Sequence, residues 1–205
     1  MSQKEEIAAT LLQIDAVMLR PHEPFTWASG IKSPIYTDNR LTISYPKIRR
    51  LIAEGLVSLI KEHFPEASLI AGAATGGIPH AAWVADLLQL PMVYVRSKEK
   101  DHGRGSRIEG RIEGGEKAVV IEDLISTGES SLQVVRALWE EKVEVLGVTA
   151  IFTYQFPLAE RNFKKEDVPF FTLTDFHTLI AEAKKRGTLS EEELHLVQEW
   201  HRQFV

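Results

Sequence analysis

Apolar residues recur three or four positions apart near the start of the chain, at Ile7, Leu11, Leu12, Ile14 and Met18, and this spacing predicts a helix from about residue 3 to 19. The rhythm then stops. Pro21, Pro24, Gly30 and Pro34 punctuate residues 20–45, which read as short strands and turns. Helical spacing returns over 46–63, opening on Pro46, where a missing N–H is harmless. From residue 68 strand and helix alternate. Strands are predicted over 68–75, 92–97, 118–124, 143–154 and 169–175. Helices are predicted from the Gly76–Gly77 turn to Leu88, and over 130–142, 157–165, 177–187 and 190–204. The last opens on a Ser190/Glu193 capping box. The alternation implies an α/β fold with a central parallel β-sheet flanked by helices. Right-handed crossovers follow, and ligands should gather at the carboxyl ends of the strands.

One segment breaks the pattern. Residues 98–116, KEKDHGRGSRIEGRIEGGE, are dense in charge and glycine, and Ile108 and Ile112 are their only apolar positions. Such a stretch covers no core face. Inside a compact domain a structureless stretch of this length reads as a lid, a binding loop or a disordered linker.

Composition narrows the class. The chain has 205 residues, 44% apolar and 26% charged, enough for one domain with a full core. A net charge of −5 argues against nucleic acid or a membrane surface as partner. The absence of cysteine excludes disulfides and thiolate metal sites and suits a reducing compartment. No apolar run approaches membrane-span length, and the acidic, amphipathic N-terminus does not read as a secretory signal. A cytoplasmic protein is expected.

The chemistry concentrates in KAVVIEDLISTGESS, 117–131. Ala118 to Ile121 run straight into the adjacent carboxylates Glu122 and Asp123. A small turn then leads into a helix. Backbone N–H groups and the helix dipole at such a turn attract phosphate, and the carboxylates accept hydrogen bonds from sugar hydroxyls. Two carboxylates at the end of a buried strand require partners or a ligand, because burying them alone is costly. No lysine follows Gly128, so this is not the phosphate loop of a nucleoside triphosphatase. Glu129 would repel a phosphate and must point outward, leaving only its N–H to help. The Gly76–Gly77 turn in GAATGGIPHA, 72–81, offers a second anion nest. His63, His80, His177, His195 and His201 lack metal-ligand spacing and read as surface or structural residues.

VVIEDLISTGES closely resembles the phosphoribosyl diphosphate (PRPP) motif of type I phosphoribosyltransferases. The resemblance implies that Glu122 and Asp123 hold the ribose hydroxyls. It also implies that Leu124, Ile125, Ser126, Thr127, Gly128, Glu129 and Ser130 form the 5-phosphate segment. Residues 72–81 resemble the family's diphosphate loop, in which a sometimes cis, non-proline peptide exposes N–H groups near Thr75 and Gly76. A lysine found in many members stands here as Gly76. VRSKEKDHG, 95–103, is similar to the catalytic loop of orotate phosphoribosyltransferases, which assigns Arg96, Lys100 and His102 to the diphosphate and to catalysis together with Asp123. FTWASGIKSPIYTDNR, 25–40, matches the hood signature of the same enzymes, which hypoxanthine, adenine and uracil transferases lack.

On this resemblance the chain has a type I phosphoribosyltransferase fold. An N-terminal helix and small hood occupy 1–45, the core 46–187 and a C-terminal helix 188–205. It transfers ribose 5-phosphate from PRPP to orotate. Mg²⁺ is the expected cofactor, carried by PRPP and water rather than by protein side chains. A homodimer is expected, with the 98–116 loop reaching the neighbouring subunit's site. The orotate site is expected at Tyr36, Thr37, Ser126 and Tyr154. Ala28 and Tyr154 replace a lysine and an arginine of other members, which leaves Lys32, backbone N–H groups and Ser126 for the orotate carboxylate. The C-terminal helix carries no functional signal. Two alternatives share the 118–131 motif: a base-salvage transferase, against which the hood argues, and a PRPP-sensing regulator, which would need a basic face.

Overall fold

The computed structural model describes residues 1–27, 30–96 and 107–204. The chain begins with α1 (Gln3–Gln13), capped by Ser2 and Glu5 in a capping box. Four short strands follow, β1 (Val17–Leu19), β2 (Phe25–Thr26), β3 (Lys32–Ser33) and β4 (Ile35–Thr37), then a 3₁₀ turn over Asn39–Ser44. Antiparallel β1–β4 and β2–β3 pairs form the hood.

The core runs α2 (Pro46–His63), β5 (Leu69–Ala73), α3 (Gly77–Leu88), β6 (Met92–Val95), β7 (Ile108–Glu109), β8 (Lys117–Ile125), α4 (Glu129–Glu140), β9 (Glu144–Thr153), α5 (Pro157–Lys165) and β10 (Phe170–Asp175). Helices α6 (Phe176–Lys185) and α7 (Glu191–Arg202) close the chain. The sheet order is β10-β9-β8-β5-β6-β7, parallel throughout except for β7 at the edge.

Strand periodicity divides the core into two layers. Along β8, Val119 and Ile121 join one buried cluster with Ile7, Leu56, Val84 and Phe176, while Ala118 and Val120 join the other with Leu132, Leu138 and Phe163. Each large side chain so buried contributes about 1.5–3 kcal/mol. Both faces are covered, so the open surface of the sheet is its carboxyl edge.

Three expectations change. The first helix stops at Gln13, not near 19. Asp15 turns into the left-handed region (φ 56°), and Val17–Leu19 pair with Ile35–Thr37 as a strand. Apolar residues at helical spacing were available to a strand partner, and the partner decided. The sheet is not purely parallel, because β7 runs antiparallel to β6 (Val95 opposite Ile108, Tyr94 opposite Glu109). Consequently 98–116 is not structureless throughout. Its two apolar residues, Ile108 and Ile112, pack against the second core cluster.

Candidate active site

The cleft lies at the carboxyl ends of β5 and β8, where the chain turns into α3 and α4. It encloses about 560 Å³ between the hood and these two turns. Strand β8 carries Glu122 and Asp123 to its floor. Glu122 is buried and accepts from the hydroxyls of Ser130 (3.4 Å) and Ser131 (3.2 Å) and from the Asp123 N–H (3.2 Å). Burial, then the Asp123 charge beside it, pushes the Glu122 carboxyl well above the usual carboxylate range. Burial also raises Asp123, opposed by its hydrogen bond with Glu122 and by the charge of Arg40. Both carboxyls are held above their ordinary range, Glu122 further than Asp123.

The turn after β8 is shaped by its neighbours. Gly128 sits at φ 79°, a conformation that disfavours side chains, and a Cβ there would lie 2.5 Å from the Phe163 ring. Asn162 Nδ2 on α5 donates to the Thr127 carbonyl (2.9 Å) and braces the turn from behind. Glu129 points away, as expected, because Arg136 donates to it at 2.7 Å. The N-terminus of α4 therefore faces the cleft without an opposing carboxylate from its first residue.

Across the cleft, the Ala74–Thr75 peptide is cis and Thr75 and Gly76 line the wall. A Cβ on Gly76 would overlap the Asp123 carboxylate, and one on Gly77 would overlap the Ile121 carbonyl oxygen. The two glycines let α3 start directly against β8.

The hood supplies the third wall through Thr37, Asp38 and Arg40. Asn39 Nδ2 donates to the Asp123 carbonyl at 2.6 Å and ties the hood turn to the acidic pair. Behind it, Thr42 donates to the Asn39 carbonyl (2.6 Å), and His80 Nε2 lies 3.4 Å from Thr42 Oγ1. The Thr42 proton is already committed, so His80 is the donor and its Nδ1 is left without a partner.

Burial lowers His80 from 6.5 to about 4. A lowered histidine favours the fold above its unfolded value and loses that advantage as pH falls toward the folded one. Stability should therefore drop by about 3 kcal/mol between pH 6.5 and 4 through this residue. Urea melts of the wild type and His80→Gln across that window check it, and the variant should show the shallower slope.

The predicted residues divide clearly. Thr37, Thr75, Gly76, Glu122, Asp123, Leu124, Ser126, Thr127, Gly128 and Ser130 meet at one cleft. Ile125 is in the core. The Tyr36 ring packs on Phe25, and Lys32 donates to Thr26 within the hood. Tyr154 is buried behind the wall, its hydroxyl donating to Thr37 at 3.0 Å, and burial pushes it up to about 12. Arg96, just past β6, lies 3.3 Å from Glu109 on β7. Lys100, His102 and Ala28 lie outside the described residues.

Asp38, Asn39 and Arg40 were not singled out from the sequence, although YTDNR in the hood signature contains them. Helix α7 also has a use that no motif announced. Trp200 Nε1 donates to the Lys32 carbonyl (2.8 Å) and His201 Nε2 meets the Tyr154 carbonyl (2.6 Å), so the helix ties hood to sheet. His201 is a buried structural residue.

The phosphoribosyl transferase domain family matches residues 40–176. The chain is 59% identical over 196 residues to the orotate phosphoribosyltransferase of Enterococcus faecalis, covering 96% of this chain and 93% of that protein. It is 57% identical over 199 residues to that of Bacillus subtilis, covering 97% and 92%. The chain belongs to the orotate phosphoribosyltransferase family. Among solved members, the Aeropyrum pernix orotate phosphoribosyltransferase superposes with a TM-score of 0.78 at 26% identity, over 90% of this chain and 99% of that one. Leishmania donovani UMP synthase gives 0.84 at 26% identity over 98% of this chain, which spans only 43% of that longer protein. Family membership accounts for the order of cleft walls along the chain: hood, then the 74–77 turn, then the acidic pair and its turn. Among the described residues, no helix is long and apolar enough to cross a membrane.

Proposed function

We propose that this chain transfers ribose 5-phosphate from PRPP to N1 of orotate, yielding orotidine 5-monophosphate and diphosphate on the route to UMP. One observation carries the reading: the family's hood, closed by Thr37, Asp38 and Arg40, faces the Glu122–Asp123 pair and the 126–130 turn across a single cleft. A salvage enzyme shares the acidic pair but not that hood.

The C–O bond from the anomeric carbon to diphosphate breaks ahead of formation of the C–N bond to orotate, through an oxocarbenium-like state. Glu122 and Asp123 accept hydrogen bonds from the ribose hydroxyls and orient the ring. The N–H groups of the 126–130 turn hold the 5-phosphate. N–H groups at Thr75 and Gly76 face the diphosphate, with Arg96, Lys100 and His102 contributing cationic stabilisation as it leaves. Ser126 and the backbone at Tyr36–Thr37 seat orotate, with Tyr154 holding Thr37 in place.

Two adjacent carboxylates, Glu122 buried and Asp123 half-buried beside the charge of Arg40, form a hard-oxygen set suited to Mg²⁺ held through the donor's hydroxyls. When bound, that ion offsets the charge of the diphosphate. The working unit is a homodimer in which the part of the 98–116 segment that precedes β7 serves the neighbouring site and excludes water, which would otherwise hydrolyse the cation. A cysteine-free composition supports a cytoplasmic setting.

Incubation with PRPP and Mg²⁺ plus orotate, uracil, hypoxanthine or adenine separately tests the assignment. Diphosphate release should require orotate. Release with a purine or uracil instead would replace orotate as the acceptor.

A further inference from the structure

We infer that Arg40 is a donor-binding residue, holding the diphosphate end of PRPP from the hood side of the cleft. The inference rests on the functional reading above and adds a contact to it.

Electrostatics pose the problem. PRPP brings several negative charges into a cleft whose floor already holds two carboxylates. Among the described residues, Arg40 is the one basic side chain lining that cleft. The 72–81 turn carries no lysine or arginine, and the Asp123 carboxylate occupies the space a side chain at Gly76 would enter.

The geometry of Arg40 is that of a positioned anion ligand. Asp38 accepts from Nε at 2.7 Å and from Nη2 at 3.0 Å, which fixes the plane of the guanidinium. Nη1 takes no part in that pair. The side chain nonetheless keeps 59% of its exposure, so the pair orients Arg40 without burying it. The residue between them clamps the turn: Asn39 Nδ2 donates to the Asp123 carbonyl at 2.6 Å, so the turn cannot drift from the acidic pair. A surface Asp–Arg pair two residues apart adds little to stability. Here it holds a fork-shaped cation at the mouth of an anion site, the arrangement suited to bidentate phosphate contact.

The side of the cleft follows from the acidic pair. Glu122 is turned toward Ser130 and Ser131, the 5-phosphate side. Asp123 is turned toward Gly76. Asn39, next to Arg40 in the chain, donates to the Asp123 carbonyl, so the hood turn meets the cleft at Asp123. That sets Arg40 at the Asp123 end of a cleft it lines together with Thr75 and Gly76, where the reading puts diphosphate.

Steady-state kinetics in both directions, with Mg²⁺, test this. Arg40→Gln should raise KM for PRPP in the forward direction and for diphosphate in the reverse by about tenfold, the loss of one charge-assisted contact. KM for orotate and for orotidine 5-monophosphate should stay within about twofold of wild type, because the lost contact is specific to one ligand group. Arg40→Lys keeps charge but loses the fork, and should recover part of the effect. Asp38→Asn should shift the same two constants in the same direction, by less. These two variants carry the test if melting shows Arg40→Gln to be misfolded.

Unchanged constants for PRPP and diphosphate, or a rise confined to orotate and orotidine 5-monophosphate, would overturn the assignment of Arg40. A wild type that releases no orotate-dependent diphosphate would instead overturn the functional reading on which it rests.

Discussion

Glu122→Gln should make the free protein more heat-stable and the enzyme far slower. Burial and the neighbouring Asp123 raise the proton affinity of Glu122 above its ordinary value of 4.5. For a raised carboxyl, the native state binds more protons than the unfolded state between the unfolded and folded values. Stability therefore falls as pH rises through that window, and above it the full cost of holding the charge is in place. Glutamine carries no such charge and can still meet the Ser130 and Ser131 hydroxyls. The variant's melting midpoint should exceed that of wild type at pH 8, with the gap closing toward pH 4.5. Catalysis should move the other way. A charged acceptor for a ribose hydroxyl is lost, and kcat/KM for PRPP should fall about 10- to 100-fold. Melting curves against pH, paired with initial rates, check both halves. A variant less stable than wild type at pH 8 would contradict the placement of an uncompensated carboxylate at the cleft floor.

The two adjacent glycines at the start of α3 should fail in different ways when changed to alanine. At Gly77 the new methyl group meets the carbonyl oxygen of Ile121, which is backbone in a central strand and cannot step aside. Helix α3 must move off β8, and the fold should lose about 1–3 kcal/mol. At Gly76 the methyl meets the Asp123 carboxylate, a side chain that can rotate. Stability should barely change, but the displaced carboxylate no longer faces the ribose, and the rate should fall by about 10²-fold, the scale of a small misplacement at a reacting centre. Equal losses of stability in Gly76→Ala and Gly77→Ala would show that Asp123 is not the group in the way.

The contrast between those glycines marks what the chain reveals before folding. Local signals were legible wherever one element decides its own shape. Pro46 and the apolar spacing after it gave the helix that ends at His63, and Ser190 with Glu193 gave the capping box of α7. The acidic pair and its turn were legible because a strand, two carboxylates and a glycine turn are consecutive. The contacts that complete the site join distant segments. Asn39 meets Asp123 across 84 positions, and Trp200 meets Lys32 across 168. No periodicity encodes such pairs. The same reason explains the overshoot of the first helix: Val17 and Met18 fit a helix face until β4 offers them a strand partner. Ile108 and Ile112 are the reverse case. Two lone apolar residues in a charged stretch were too few to predict a strand, yet both pack against the core beside the sheet edge.

The central claim is that the cleft between the hood, the 74–77 turn and the acidic pair binds PRPP. Titration of the wild-type protein with PRPP and Mg²⁺ in a calorimeter tests it most directly. Saturable heat in wild type, greatly weakened in Glu122→Gln, is the expected result. No uptake by wild type, or equal affinity in the variant, would contradict the account.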